Sequence, residues 1–220
     1  MEQKKQKKPQ LIILYGAPGS GKGTQASYLV KNHSYIFLDF GQTFREFAKL
    51  DNDRSKRVKE SLEGGKAILT EDFMYILKDK IEYNLKNNIN FVIDKPGSLR
   101  EEAEWLSDLI VELKISTLFL HLKIDYNQAV ERILNRWYLP SSSYPYSSYQ
   151  EAYENKTLEE EPYQRKEDQD QEITRIRIDN MYKHNQDIID IYQKKGIVVS
   201  NIEAGGNVEG VKKEIDKVLA

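Results

Sequence analysis

Continuous apolar runs punctuate the chain at residues 11–15, 91–93, 117–124 and 196–200, with a shorter one at 35–38. Apolar runs without polar alternation predict strands covered on both faces. Between them, apolar residues recur at helical spacing over 73–87, 100–113, 126–136 and 173–195. Strands alternating with helices of that length predict an α/β fold: a central parallel sheet flanked by helices, with ligand at the carboxyl ends of the strands. Two segments break the rhythm. Residues 45–70 are polar, helical in pattern and strand-free, ending near Gly64-Gly65. Residues 137–164 crowd Ser, Tyr, Pro and Glu together with little periodicity. A structureless stretch of that length inside a compact domain predicts a lid or disorder.

Composition narrows the class. A chain of 220 residues predicts one domain with small insertions. Residues 1–10, rich in Lys and Gln, predict a disordered basic tail before a domain over 11–220. They lack the apolar core of a secretory signal, and no apolar run approaches the roughly 20 residues that span a bilayer. The net charge of −2 compels neither nucleic acid nor an acidic membrane as partner. With no cysteine, a disulfide framework, a Cys-ligated zinc site and thiol catalysis are excluded. The expectation is a cytoplasmic protein with no nucleic-acid or membrane partner.

One segment carries the chemistry. The strand at 11–15 runs directly into Gly16-Ala17-Pro18-Gly19-Ser20-Gly21-Lys22-Gly23-Thr24, and residues 24–32 read as a helix. Glycines let successive backbone N–H groups curl inward around an anion, and the helix N-terminus adds partial positive charge behind them. Lys22 brings an ammonium to the β- and γ-phosphates, and the Thr24 hydroxyl is available to Mg²⁺. Strand, loop, lysine, hydroxyl and helix in register predict a nucleoside triphosphate site in a three-layer P-loop fold.

The loop variant Gly-x-Pro-Gly-x-Gly-Lys-Gly-Thr-Gln resembles that of the adenylate kinase family of nucleoside monophosphate kinases, and the rest of the chain follows that family's order. Gly41-Gln-Thr-Phe-Arg45 resembles the element that opens the monophosphate-binding arm, at about 40–70 here. Gly65-Lys-Ala67-Ile68-Leu resembles the stretch whose backbone faces the acceptor base. Phe91-Val-Ile-Asp94 matches a strand and its terminal acid. Glu131-Arg132-Ile-Leu-Asn-Arg136 resembles the base of the lid, at about 137–164, and Glu161-Pro-Tyr-Gln-Arg165-Lys-Glu-Asp168 resembles its closing segment. Arg177 has the spacing of the last phosphate-binding arginine, and 201–208 resembles the terminal turn, which includes Gly206.

The resemblance implies transfer of a phosphoryl group from ATP·Mg²⁺ to a monophosphate, with AMP the default acceptor and a monomeric enzyme. It assigns Lys22, Arg136, Arg165 and Arg177 to the transferring phosphates. Gly19, Ser20, Gly21, Gly23 and Thr24 cradle ATP, Arg132 stacks on its adenine, and Gly206 contacts the base. Asp94 holds Mg²⁺ through water, alongside Thr24. Phe40, Gly41, Arg45, Ala67, Ile68, Ser98, Arg100 and Glu102 line the acceptor side. Arginines suit this task because their planar, permanently charged forks bind phosphate oxygens in pairs.

The acceptor side departs from the family pattern. Ser98 stands where an acceptor-phosphate arginine is expected, and Arg100 or Lys95 is available to reach in instead. Glu102 replaces a glutamine that reads the acceptor base, Phe40 a small hydroxyl residue, and Gln42 an aspartate. Lys166 competes with Arg165 by spacing. Arg132 and Arg136 taken alone are i,i+4 neighbours, as on any solvated helix face. Two other readings stay open on this side: a different small acceptor, or a nucleotide-binding protein without transfer activity that regulates a partner. The three histidines, His33, His121 and His184, are scattered and predict no site.

Overall fold

The computed structural model describes residues 10–64, 68–94, 100–142, 145–157 and 159–220. In chain order the elements are β1 (Leu11–Tyr15), α1 (Lys22–His33), β2 (Ile36–Phe37), α2 (Phe40–Phe47), α3 (Asp53–Glu63), α4 (Thr70–Lys86), β3 (Phe91–Ile93) and α5 (Arg100–Glu112). There follow β4 (Thr117–Lys123), α6 (Tyr126–Leu134), α7 (Tyr149–Asn155), α8 (Lys166–Gln169), α9 (Gln171–Lys194), β5 (Val198–Glu203) and α10 (Val208–Leu219).

The five strands form one parallel sheet in the order β2-β3-β1-β4-β5. A continuous apolar run makes a two-faced strand because successive side chains leave the pleat on opposite sides. Leu11, Ile13 and Tyr15 of β1 enter one core with Phe91, Ile93 and Phe119 against α4, α5 and α9. Ile12 and Leu14 enter the other, with Leu118, Leu120 and Ile202 against α1 and α10. All five residues of β1 are buried, as predicted. Each such side chain contributes about 1.5–3 kcal/mol by leaving water, so truncating any one is costly.

The edge strand differs from the expectation. The run at 196–200 becomes strand only at Val198, because Gly196 turns the chain at φ +76° after α9. Val198 is 62% exposed, at the start of β5, which pairs among the described residues with β4 and stands at the edge of the sheet. Gln10, at the end of the expected basic tail, is tied down just before β1: its N–H donates to Ser116 and its carbonyl accepts from Phe91. The rest of that tail lies outside the described residues. No described helix is long and apolar enough to cross a membrane.

Helix starts follow from local chemistry. Asp39, Asp125, Asp170 and Asn207 each accept hydrogen bonds from first-turn N–H groups of α2, α6, α9 and α10. Such caps are worth about 1 kcal/mol each. The arm made of α2 and α3 is tied to α4 by Asp72, a buried carboxylate that accepts from Arg54 and Arg57. Behind the loop, Tyr28 and His33 of α1 both bond Asp216 of α10, at 2.7 and 2.8 Å. That contact fastens the P-loop helix to the end of the chain and gives His33 a structural role that its isolated position in the sequence did not suggest.

The lid segment is more ordered than its composition predicts. Antiparallel bridges join Trp137 to Tyr146 and Tyr138 to Tyr163, and α7 sits between them, capped by Ser148. Glu160 accepts from both the backbone N–H and the hydroxyl of Ser141. These pairings link residues distant in sequence, so they leave no short-range periodicity.

Candidate active site

The loop between β1 and α1 is shaped for an anion. Gly21 precedes α1 in the left-handed region, at φ +89°, with no side chain capping the helix and no acid in the first turn. The first intrahelical bond of this end runs from Gln25 N–H to the Gly21 carbonyl, so the N–H groups before it, including those of Gly23 and Thr24, have no helical acceptor. Nothing lies within 4 Å of a Cβ built on Gly21, so its positive φ rather than crowding is what calls for glycine there. Gly19 answers a different need. At φ +85°, a Cβ there would sit 2.7 Å from the Ala129 carbonyl oxygen, so only glycine lets the loop rest directly on α6.

The polar side chains of the loop are held ready. The Lys22 ammonium donates to the carbonyls of Gly16 and Ala17 at 2.7 and 3.2 Å, folded along the loop's own backbone. The Ser20 hydroxyl is buried and has no hydrogen-bond partner among the described residues, the kind of orphan an incoming phosphate oxygen relieves. Thr24 lies half-buried in the first turn of α1, and Asp94 half-buried at the end of β3, the strand beside β1. One hydroxyl and one carboxylate are too few for a protein cage but suit Mg²⁺, which keeps most of its water and takes phosphate oxygens.

One side of α6 and its continuation joins this loop to the arginines. Ala129 underlies Gly19. One turn on, the Arg132 guanidinium donates to the carbonyls of Ala204, Gly205 and Gly206 at 2.9, 3.1 and 3.0 Å. Its edge is thereby committed to the terminal turn. Arg136 is not on the helix as the 126–136 pattern predicts: α6 ends at Leu134 and Asn135 caps it. Arg136 therefore swings away from Arg132.

It swings to Asp168. This carboxylate has no exposed surface and accepts from Arg136 through Nε (3.0 Å) and Nη2 (2.7 Å), from Arg177 at 2.8 Å, and from the Tyr138 hydroxyl at 3.2 Å. Burial alone would raise its pKa. Hydrogen bonds and charge from Arg136 and Arg177 prevail and hold it below the usual carboxylate range. Arg165 lies close by, its guanidinium 4.2 Å from the centroid of the Tyr138 ring; Arg136 is 5.5 Å from the same ring. Three guanidiniums against one carboxylate leave an excess of positive charge, with N–H donors to spare on each fork. Lys166, the competitor by spacing, faces a shallow outer surface with Gln169, Asp170 and Arg175 instead.

The acceptor-side residues divide. Arg45, in the last turn of α2, lies against Gly41, where a Cβ would come within 3.2 Å of its Nη1. Phe40 is turned inward and packs edge-on against Phe73 at 5.5 Å, so its side chain serves the core. Ile68 is half-buried beside the same core. Glu102 is buried in the first turn of α5, whereas Arg100 sits on that helix's outer surface, donating to Glu104 at 2.8 Å. Ala67, Lys95 and Ser98 lie outside the described residues.

Two residues at the centre of this arrangement were not singled out in the sequence. Asp168 carries no signal beyond the closing motif at 161–168, and Tyr138 is one of many tyrosines in its segment. A third, His121, sits buried on β4 in register with Tyr15 and Asn201. Its Nδ1 is 3.0 Å from the Asn201 side-chain oxygen, and burial pushes its pKa down, so the ring is held neutral with the proton on Nδ1.

Fold and site together define a P-loop phosphotransferase with a helical arm and a lid. The profile of the adenylate kinase family matches residues 14–197. An adenylate kinase of Caldicellulosiruptor bescii is 30% identical over 198 residues, covering 86% of this chain and 89% of that protein. One of Streptococcus sanguinis is 26% identical over 210 residues, covering 94% and 97%. Human adenylate kinase isoenzyme 1 is 26% identical over 216 residues, covering 97% and 95%. The chain belongs to the adenylate kinase family, and its activity is that of a nucleoside monophosphate kinase.

Proposed function

We propose that the chain transfers the γ-phosphoryl group of ATP·Mg²⁺ to AMP, giving two ADP, as a monomer in the cytoplasm. The observation that carries the reading is the gathering of Arg136 and Arg177 on Asp168, with Arg165 beside them on the Tyr138 ring, joined through α6 to the phosphate loop. Phosphoryl transfer asks little covalent chemistry of a protein. Positioning and neutralisation of charge on the transferred group supply the acceleration.

In this reading the N–H groups at the start of α1 and the Lys22 ammonium hold the β- and γ-phosphates. Lys22 exchanges its carbonyl partners for phosphate oxygens. Arg132 offers a face to the adenine while its edge stays on the terminal turn. Thr24 and, through water, Asp94 would hold Mg²⁺, which would neutralise phosphate charge when bound. Arg136, Arg165 and Arg177 turn their spare donors to the group in transit, and the lid excludes water. Arg45 takes the acceptor phosphate. Arg100 is not needed for it, being engaged with Glu104.

A coupled assay with ATP and each nucleoside monophosphate tests the reading. AMP turnover is expected, falling about 10²–10³-fold in Lys22→Ala, the usual effect of losing one preorganised donor. A folded, ATP-binding protein that phosphorylates no monophosphate would refute it.

A further inference from the structure

At the hinge where α6 gives way to the lid, one side chain touches both the anchor and the arginines. Tyr138 is only 3% exposed and is fixed by backbone bonds in both directions with Tyr163, which close the base of the lid. The face of its ring carries Arg165 at 4.2 Å, with Arg136 at 5.5 Å, and its hydroxyl donates to Asp168. Arg136 and Arg177 each have the Asp168 carboxylate to orient them. Arg165 has no described carboxylate partner; the described contact of its guanidinium is with the ring. The ring is buried while Arg165 is exposed; a cation–π contact of this kind orients the guanidinium through its face and leaves the N–H donors at its edge.

We propose that Tyr138 is a positioning residue for phosphoryl transfer, its ring being the platform that holds Arg165 at the transferring phosphate and its hydroxyl a minor brace on Asp168. The proposal rests on the kinase reading above. Because Tyr138 moves with the lid base, closing the lid carries Arg165 into place with it. Burial, the largest influence on its phenol, pushes the pKa up to about 12, so the ring stays neutral and the platform persists across the working pH range.

The test is a cycle of Tyr138→Phe, Tyr138→Leu and Arg165→Lys in the full chain. Tyr138→Phe keeps the ring and is expected to retain kcat within about 3-fold. Tyr138→Leu removes the ring and is expected to lower kcat about 10-fold or more, with the KM for ATP changed less than about 3-fold. In the Arg165→Lys background, where the planar cation is already gone, Tyr138→Leu is expected to cost little further. Equal losses in both backgrounds, or a Tyr138→Phe as poor as Tyr138→Leu, would overturn the proposal. A second readout does not need turnover: the Arg165 Nε–H resonance, shielded by the ring, moves downfield in Tyr138→Leu and not in Tyr138→Phe. An unmoved resonance refutes the platform even if Tyr138→Leu is inactive through misfolding elsewhere. A wild-type protein that shows the resonance shift without AMP turnover refutes the kinase reading instead.

Discussion

Replacing Asp168 by Asn tests the charge balance at the base of the lid. The substitution keeps volume and one accepting oxygen but removes the negative charge that Arg136 and Arg177 share. Removing one partner of a buried ion pair costs about 3–5 kcal/mol when the remaining charge stays desolvated. Here Asp168 is wholly buried, but Arg136 and Arg177 are 16% and 34% exposed, so both regain some water. The expected loss is therefore smaller, about 2–3 kcal/mol. For a chain of this length that corresponds to a fall in Tm of about 5–10 °C. The effect has a pH signature. The folded-state pKa of Asp168 lies below the ordinary 3.8, so the unfolded chain binds the proton more readily. Its stabilisation is fully present above the unfolded value and drains away as pH falls through the folded one. Thermal melts of both proteins at neutral pH and at a series of acid pH values check this. The gap in Tm should be wide at pH 7 and narrow below about pH 3.8. A D168N melt within about 2 °C of wild type at pH 7, or a gap indifferent to pH, would refute the reasoning.

Three further outcomes follow from the same geometry. Gly19→Ala should cost well over about 2 kcal/mol and abolish ATP binding, because its Cβ would press on the Ala129 carbonyl; Gly21→Ala, with open space around it, should cost only the left-handed strain of about 1–2 kcal/mol. Denaturant titration and calorimetric ATP binding separate the two. Arg100→Ala should leave the KM for AMP within about 2-fold, since the guanidinium is paired with Glu104 on the outer face. A tenfold rise would return Arg100 to the acceptor site. His121 has a folded pKa below its ordinary 6.5, so its neutral ring favours the folded state above that value and stability falls as pH drops below it. His121→Asn should flatten that part of the stability profile in melts between pH 7 and 5.

The acceptor side shows where reading from the chain alone stops. Distance along the sequence made Arg100 a candidate to replace the arginine missing at Ser98. A side chain's direction, however, depends on which face of α5 it occupies and which partner lies one turn away, and Glu104 at i+4 captures it on the surface. Phe40 was legible as a substitution in the arm but not as a core residue, because its burial depends on Phe73 of α4. The order within the lid segment escaped for a related reason. Its two bridges pair residues far apart in sequence, and bridge partners have no local pattern to betray them.

By itself the sequence determined the parallel sheet, the phosphate loop and the family. Those features are written in contiguous stretches: strand burial on two faces needs only a run of apolar residues, and an anion cradle only nine residues whose backbone must curl. Tertiary structure alone decided what orients the arginines. Arg136 is 32 positions from Asp168, and Arg177 is 9 beyond it. Nothing local distinguishes them from solvated surface cations. A buried carboxylate at their meeting point does, because it orients two of them at once, while the ring of Tyr138 takes the third.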